Sequence, residues 1–278
     1  MDKKFLQTKA VEIRQGIIKA VHSAKSGHPG GSLSVADTLT YLYFEKMNID
    51  PKNPTWSERD RLVLSKGHTA PALYATLAER GYFDKSELLK LRKVGAMLQG
   101  HPDMKGVPGV DMSTGSLGQG ISAAVGMALG AKISNKKYTT YAILGDGELQ
   151  EGQVWEAAMA AAHYKLDNLV AVVDNNNLQI DGKVSDVMSV YPIDGKFASF
   201  GWNVATCDAH DFESLNDAFE KTNEKNGKPW VIIQKSVKGK GVSFMENNAA
   251  WHGTPPNDEQ FEQGMKELDL IAEKLEEI

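Results

Sequence analysis

Residues 138–177, YTTYAILGDGELQEGQVWEAAMAAAHYKLDNLVAVVDNNN, read as a strand, a glycine turn, a helix, a second strand and an asparagine-rich turn. YTTYAIL (138–144) and NLVAVVD (168–174) are short apolar runs, and 150–165 between them carries a helical pattern. Apolar strands alternating with helices of this length form βαβ units, in which a parallel sheet is covered on both faces. The alternation continues toward the C-terminus with a helix at about 192–200, WNVATCD (202–208), a helix over 211–225 and PWVIIQKS (229–236). From Asn257 the chain reads as a charged amphipathic helix.

Working toward the N-terminus, GQGISAAVGMALGAK (118–132) is a helix dense in Gly, Ala and Ser, a composition that lets another backbone approach closely. Before it come an irregular loop from Gln99 to Thr114, a helix at about 85–94 with Asp84 and Glu87 as a capping box, and a short buried strand, RLVLS (61–65). Phe5, Ile13, Ile17, Ile18 and Val21 recur at helical spacing over 2–24, and the chain then enters the loop Gly27-His28-Pro29-Gly30-Gly31. A second helix is expected from about Ser34, through Val35 to Met47. With no linker, repeat or low-complexity tract, the expectation is one doubly wound α/β domain over 1–278, its mainly parallel sheet covered by helices on both faces. The helical segment 1–60 packs on it.

Composition narrows the function. The 278 residues are 41% hydrophobic and 24% charged, an ordinary globular mix, and the net charge of −5 with no long basic run argues against nucleic acid as a partner. Cys207 is the single cysteine, which rules out an intrachain disulfide and a paired-thiolate metal site and points to a reducing, cytoplasmic setting. The N-terminus lacks the apolar core of a signal peptide, and no stretch approaches the roughly 18 apolar residues that cross a bilayer, so no membrane role is expected.

Gly145-Asp146-Gly147 and Asp174-Asn175-Asn176-Asn177 each follow a buried strand. In open α/β sheets ligands bind beyond the carboxyl ends of the strands, so Asp146 and Asn176 are expected to converge on one site. A carboxylate, an amide oxygen and a backbone carbonyl are hard ligands suited to Mg²⁺, which completes its octahedron with phosphate oxygens and water. The helix starting after Gly147 turns its N-terminus toward the same edge, where an anion is favoured. Together these features imply a magnesium-bound diphosphate. Taken singly, each turn is equally what Gly, Asp and Asn form for backbone reasons alone.

Of seven histidines, His28, His68, His101 and His252 lie beside a glycine in loop-like sequence, a placement that suits a polar pocket able to bind hydroxyls or phosphate and move protons. His22, His163 and His210 lie in or beside helical segments and read as surface or packed residues. The spacings do not match a zinc site. Lys238 and Lys240, in KGKG, read either as phosphate partners or as solubilising charge.

These residues resemble the amino-terminal, diphosphate-binding part of the thiamine-diphosphate transketolases. The resemblance runs through SGHPGGSLS (26–34), SKGHTAPALY (65–74), GHPD (100–103), TGSLGQGISAAVGMA (114–128), GDGELQEG (145–152), DNNNLQIDG (174–182) and WHG (251–253). It implies Mg²⁺ ligation, with Ca²⁺ or Mn²⁺ as substitutes, by Asp146, Asn176 and the carbonyl of Leu178. It implies thiamine diphosphate binding by His68, Gly115, Ser116, Leu117, Gly147, Glu148, Ile180, Lys238 and His252. His28, His101 and His252 match the histidines that meet the sugar, and Glu151 matches an acidic residue at a subunit contact.

The implied activity is transfer of a two-carbon ketol unit from a ketose, typically phosphorylated, to an aldose. A full-length member continues into a pyrimidine-binding domain whose glutamate activates the cofactor. The resemblance therefore implies a separately encoded partner subunit and an α₂β₂ heterotetramer. Other readings are a subunit of a deoxyxylulose-phosphate synthase-like enzyme, a 2-oxo acid dehydrogenase α-like subunit, and a non-catalytic cofactor-binding module. A dinucleotide-binding protein is disfavoured, because Gly118-Gln119-Gly120 lacks the third glycine of that fingerprint.

Overall fold

In the computed structural model, which describes residues 1–277, the strands predicted around the two turns lie side by side. β1 (Arg61–Leu64), β2 (Thr140–Gly145) and β3 (Leu169–Asn175) are neighbours, and a short hairpin of β4 (Leu178–Gln179) and β5 (Gly182–Lys183) follows β3. β6 (Asn203–Asp208) takes the far edge, and β7 (Trp230–Lys235) inserts between β3 and β6. Every pairing in the five-stranded sheet β1-β2-β3-β7-β6 is parallel. The register sets Gly145 beside Asp174 and Asp174 beside Gln234, which brings the two predicted turns together at the carboxyl edge.

The helices are α1 (Lys3–Ala24), α2 (Pro29–Ser34), α3 (Ala36–Tyr41), α4 (Ala70–Arg80), α5 (Gln119–Ile133), α6 (Gly152–His163), α7 (Val184–Val187), α8 (Ile193–Ser199), α9 (Phe212–Lys221) and α10 (Asp258–Glu276). Because strand side chains alternate, each face builds its own core. Val63, Ala142, Leu144, Ala171 and Val173 pack with α5, α6 and α8. Leu62, Leu64, Tyr141, Ile143, Val170 and Val172 join one continuous cluster with α1, α3, α4 and α9. The helices before residue 60 are thereby fastened to the sheet. In α1, Ile13, Ile17 and Ile18 are fully buried, each contributing about 1.5–3 kcal/mol relative to exposure.

The local differences from the sequence reading have identifiable causes. The expected helix from 85 is a short 3₁₀ segment, Lys85–Lys90, in which Asp84 accepts from the Ser86 amide without closing a capping box with Glu87. The loop expected at 27–31 gives way at Pro29 to α2, where proline's missing N–H costs nothing in a first turn. The expected helix from 35 to 47 divides into α3 and a π-turn over Leu42–Lys46. α4 carries no periodic signal, since every residue from Ala70 to Ala78 is buried.

Candidate active site

The floor of the site is a buried ion pair. Lys66, just past β1, donates to Asp174 near the end of β3, and both side chains are almost inaccessible. Ser34 (2.6 Å), Asn176 (3.2 Å) and Ser236 also donate to that carboxylate. Burial alone would raise the Asp174 carboxyl, but the Lys66 charge and these hydrogen bonds outweigh it and hold the group below its usual value.

Above that pair sits Asp146, 2% exposed, accepting from the backbone N–H groups of Gly147 (2.8 Å) and Asn177. Burial, and then the Asp174 charge, push its carboxyl up to about 7. A second buried carboxylate without a cation of its own calls for one. The Asn176 amide oxygen lies on the adjoining turn, accepting from the Leu178 N–H (3.0 Å), and the Leu178 carbonyl accepts from Lys238 Nζ (3.1 Å). One carboxylate, one amide oxygen and one carbonyl thus share the rim, a hard donor set fitting Mg²⁺. Among the described residues no cluster of three His, Cys, Asp or Glu side chains offers a softer alternative.

Three imidazoles stand across the cleft. His28 precedes α2, His68 sits in a 3₁₀ turn after β1, and His252 follows a 3₁₀ turn over Ala249–Trp251. Their ring centroids are 5.2 Å (His28–His68), 5.5 Å (His28–His252) and 5.0 Å (His68–His252) apart. His252 Nδ1 accepts from Lys238 Nζ at 2.9 Å, which leaves its Nε2 to carry the proton. Burial, then Lys238, lowers His252 to about 3, and burial, then Arg92 and His101, lowers His28 to about 4. His68 is pushed well down by burial, then by His252 and Lys66, and His101 is lowered by burial and Arg92. Each ring is thereby biased toward its neutral form, and the acceptor nitrogen of His252 is taken by Lys238. The Nδ1 of His28 is buried without a hydrogen-bond partner, an acceptor or donor left for a ligand.

The cleft between the imidazoles and the two turns has a volume of about 360 Å³. Of the residues predicted to bind cofactor, His68, Leu117, Asp146, Gly147, Glu148, Asn176, Leu178, Ile180, Lys238 and His252 line it. Gly147 fits because even a methyl group there would lie 3.2 Å from Gln179 Cβ. His101, Gly115 and Ser116 line a second recess of about 510 Å³, and the Gly115 backbone lies against the His101 ring. Glu151 stands at the mouth of the cleft, and Leu117 and Ile180 present exposed apolar surface there.

Glu148 faces both ways. It lines the cleft, yet its carboxylate accepts from Ser65 and from the N–H groups of Gly118 (2.9 Å) and Gly145 (3.1 Å), which clamps the glycine turn to α5. Lys240 points elsewhere, toward Glu246 at 3.6 Å. His22 pairs with Asp258, His163 packs on Tyr164, and His210 hydrogen-bonds Asp37, all away from the cleft. Lys66, Ser34 and Ser236 are functional-site residues that motif reading misses. The available signal was a lysine closing the apolar run RLVL opposite an aspartate closing LVAVV, two charges at one sheet edge that have to find partners.

Residues 6–275 match the family described as transketolase, thiamine diphosphate binding domain. The 6-deoxy-6-sulfo-D-fructose transketolase subunit SqwG of Clostridium sp. (strain MSTE9) is 46% identical over 95% of this chain and 96% of its own length. A subunit of the apulose-4-phosphate transketolase of Phocaeicola vulgatus is 42% identical over 99% and 98%. Human transketolase is also 42% identical over 95% of this chain, which spans only 42% of that longer protein. The crystal structure of Campylobacter jejuni transketolase superposes with a TM-score of 0.88 at 33% identity, over the whole of this chain and 48% of the other. The sheet, the cleft and these relatives lead to one conclusion: the chain belongs to the transketolase family and corresponds to its amino-terminal, thiamine-diphosphate-binding subunit.

Proposed function

We propose that this chain, paired with a second subunit carrying the pyrimidine-binding domain, transfers a two-carbon ketol unit from a ketose to an aldose using thiamine diphosphate and Mg²⁺. The observation that carries the reading is the convergence of Asp146, Asn176 and the Leu178 carbonyl opposite a cluster of neutral imidazoles. Thiamine diphosphate, when bound, supplies the nucleophilic carbon and the electron sink for carbon–carbon cleavage. Asp146, Asn176 and Leu178 hold the metal, and Lys238, His68 and Gly147 receive the diphosphate. Leu117, Ile180 and the Gly115-Ser116 backbone wall the ring of the cofactor from water.

His28, His101 and His252 hydrogen-bond the donor hydroxyls; His252, its Nδ1 held by Lys238, does so as an Nε2–H donor, and His28, whose Nδ1 has no partner, takes a proton from one hydroxyl and returns it to the product. Residues 1–278 act here as one unit. The two subunit relatives are named for a sulfonated and a phosphorylated sugar. That supports a donor bearing a distal anionic group, with an α₂β₂ assembly placing the partner's glutamate at each cleft. The lone cysteine, buried and unpaired, supports a cytoplasmic setting, and no helix among the described residues is long and apolar enough to cross a membrane.

The test is donor-ketose cleavage with thiamine diphosphate and Mg²⁺, comparing this chain alone with the chain co-expressed with its partner. Activity is expected only in the pair, and full activity in the isolated chain overturns the shared site. In the pair, the double variant His28→Ala/His101→Ala is expected to lose about 10²-fold or more in kcat/KM for the donor. Unimpaired cleavage would remove both histidines from the donor site.

A further inference from the structure

The loop after β7 carries Lys238, 2% exposed, whose ammonium bridges the Leu178 carbonyl and His252. Its two flanks are gripped by side chains that do not line the cleft. The Val237 N–H donates to His210 Nε2 at 2.9 Å, and the Lys240 carbonyl accepts from Arg14 Nε at 3.0 Å. Arg14 and His210 are joined through one carboxylate: Arg14 donates to Asp37 by Nη1 (2.9 Å) and Nη2 (2.5 Å), and His210 Nδ1 lies 2.7 Å from the same Asp37. Since His210 Nε2 accepts from a backbone amide, its Nδ1 bears the proton and donates to Asp37, so the carboxylate fixes the tautomer.

Arg14 comes from α1, Asp37 from α3 and His210 from the turn between β6 and α9. The loop is also tied by the Gly239 N–H to the Gly30 carbonyl (2.9 Å), the Asn247 N–H to the Lys238 carbonyl (2.9 Å) and the Gly241 N–H to Glu246 (3.0 Å); the Arg14–Asp37–His210 network adds side-chain anchors at Val237 and Lys240. A buried ion pair is a poor source of net stability compared with apolar packing of the same volume, so a buried Arg14–Asp37 pair that, with the half-buried His210, reaches two backbone atoms of this loop needs another rationale.

We infer that Arg14, Asp37 and His210 are positioning residues that fix the loop over 237–241 and thereby aim Lys238 at the cofactor diphosphate. The inference rests on the proposed function for the identity of the ligand, though not for the ordering of the loop. Two substitutions separate the halves of the histidine's role. His210→Gln places an amide oxygen near the position of Nε2 and keeps an acceptor for the Val237 N–H, whereas His210→Asn keeps a donor to Asp37 and loses that acceptor.

Both variants are made in the co-expressed complex and read by hydrogen exchange of the 237–241 amides without cofactor, and by calorimetric titration with thiamine diphosphate and Mg²⁺. His210→Asn is expected to speed exchange in that loop and weaken cofactor binding about five- to tenfold, the scale of one backbone hydrogen bond. Its kcat at saturating cofactor should stay within about twofold, and His210→Gln should restore binding to within about threefold of the parent. Unchanged exchange and affinity in His210→Asn, or equal loss in both variants accompanied by a common fall in melting temperature, overturns the positioning role. If the parent complex itself binds no thiamine diphosphate, the proposed function fails, and the exchange comparison still decides whether His210 orders the loop.

Discussion

At the scale of single residues, the chemistry of this site is set by which groups are kept neutral. His28 is half-buried beside His68 and His252 and within reach of the Arg92 charge, so its imidazolium form is disfavoured. An NMR titration of its ring proton is expected to show a midpoint near 4, against an ordinary 6.5, in the cofactor-free chain. A midpoint at or above 7 would show the ring largely charged in the working pH range and remove it as a neutral acceptor. The residues legible in the sequence were those whose type alone limits their use, such as Asp146 between two glycines and the histidines beside glycines. Lys66 and Asp174 were not, because a lysine after a strand reads as surface charge until register brings an aspartate over it.

At the scale of elements, the central strands were legible because each is a mostly apolar run bounded by turn residues, as in YAILGDG and LVAVVDNNN. α4 was not, because a helix buried all round has no polar face to give it a period, and Pro71 reads as a breaker although it sits harmlessly in the first turn. The β4–β5 hairpin escaped because two residues per strand carry no pattern. α5 shows what its glycines are for by contrast within one helix. A methyl group at Gly120 would lie 2.6 Å from Ser65 Cα, whereas at Gly126 it would meet nothing within 4 Å. Gly120→Ala is therefore expected to destabilise the chain by about 1–3 kcal/mol, and Gly126→Ala to stabilise it by about 0.5–1 kcal/mol. Thermal melts of the two variants check the contrast, and equal shifts of the same sign would show that α5 does not pack on β1 as described.

At the scale of the whole molecule, acid sensitivity belongs to the buried carboxylates held below their ordinary values, Asp37 and Asp174. Burial would raise Asp37, but the Arg14 charge and the hydrogen bonds from His210 and Arg14 hold it far below its ordinary value of 3.8. A depressed carboxyl contributes stability that is complete above the unfolded-state value and is lost as the pH falls toward the folded-state one. Urea unfolding at pH 5, 4 and 3 should show midpoints falling with pH. Asp37→Asn is expected to cost about 3 kcal/mol or more at pH 7, since it leaves Arg14 buried without its partner, and to flatten that acid slope. An undiminished slope in the variant would assign the sensitivity to other groups.

The strand order carries a consequence in time as well as in space. β7 comes last in chain order among the described strands, and it must slide between two that precede it, β3 and β6. Pairings so distant in sequence form slowly, and until this one closes, two strand edges stand open to misassembly. Ser236 and Lys238 lie immediately beyond it, so the contacts to Asp174 and Leu178 are made only by a chain whose sheet is finished. A chain in which β7 has not yet docked therefore lacks the Ser236 and Lys238 contacts that complete the cleft.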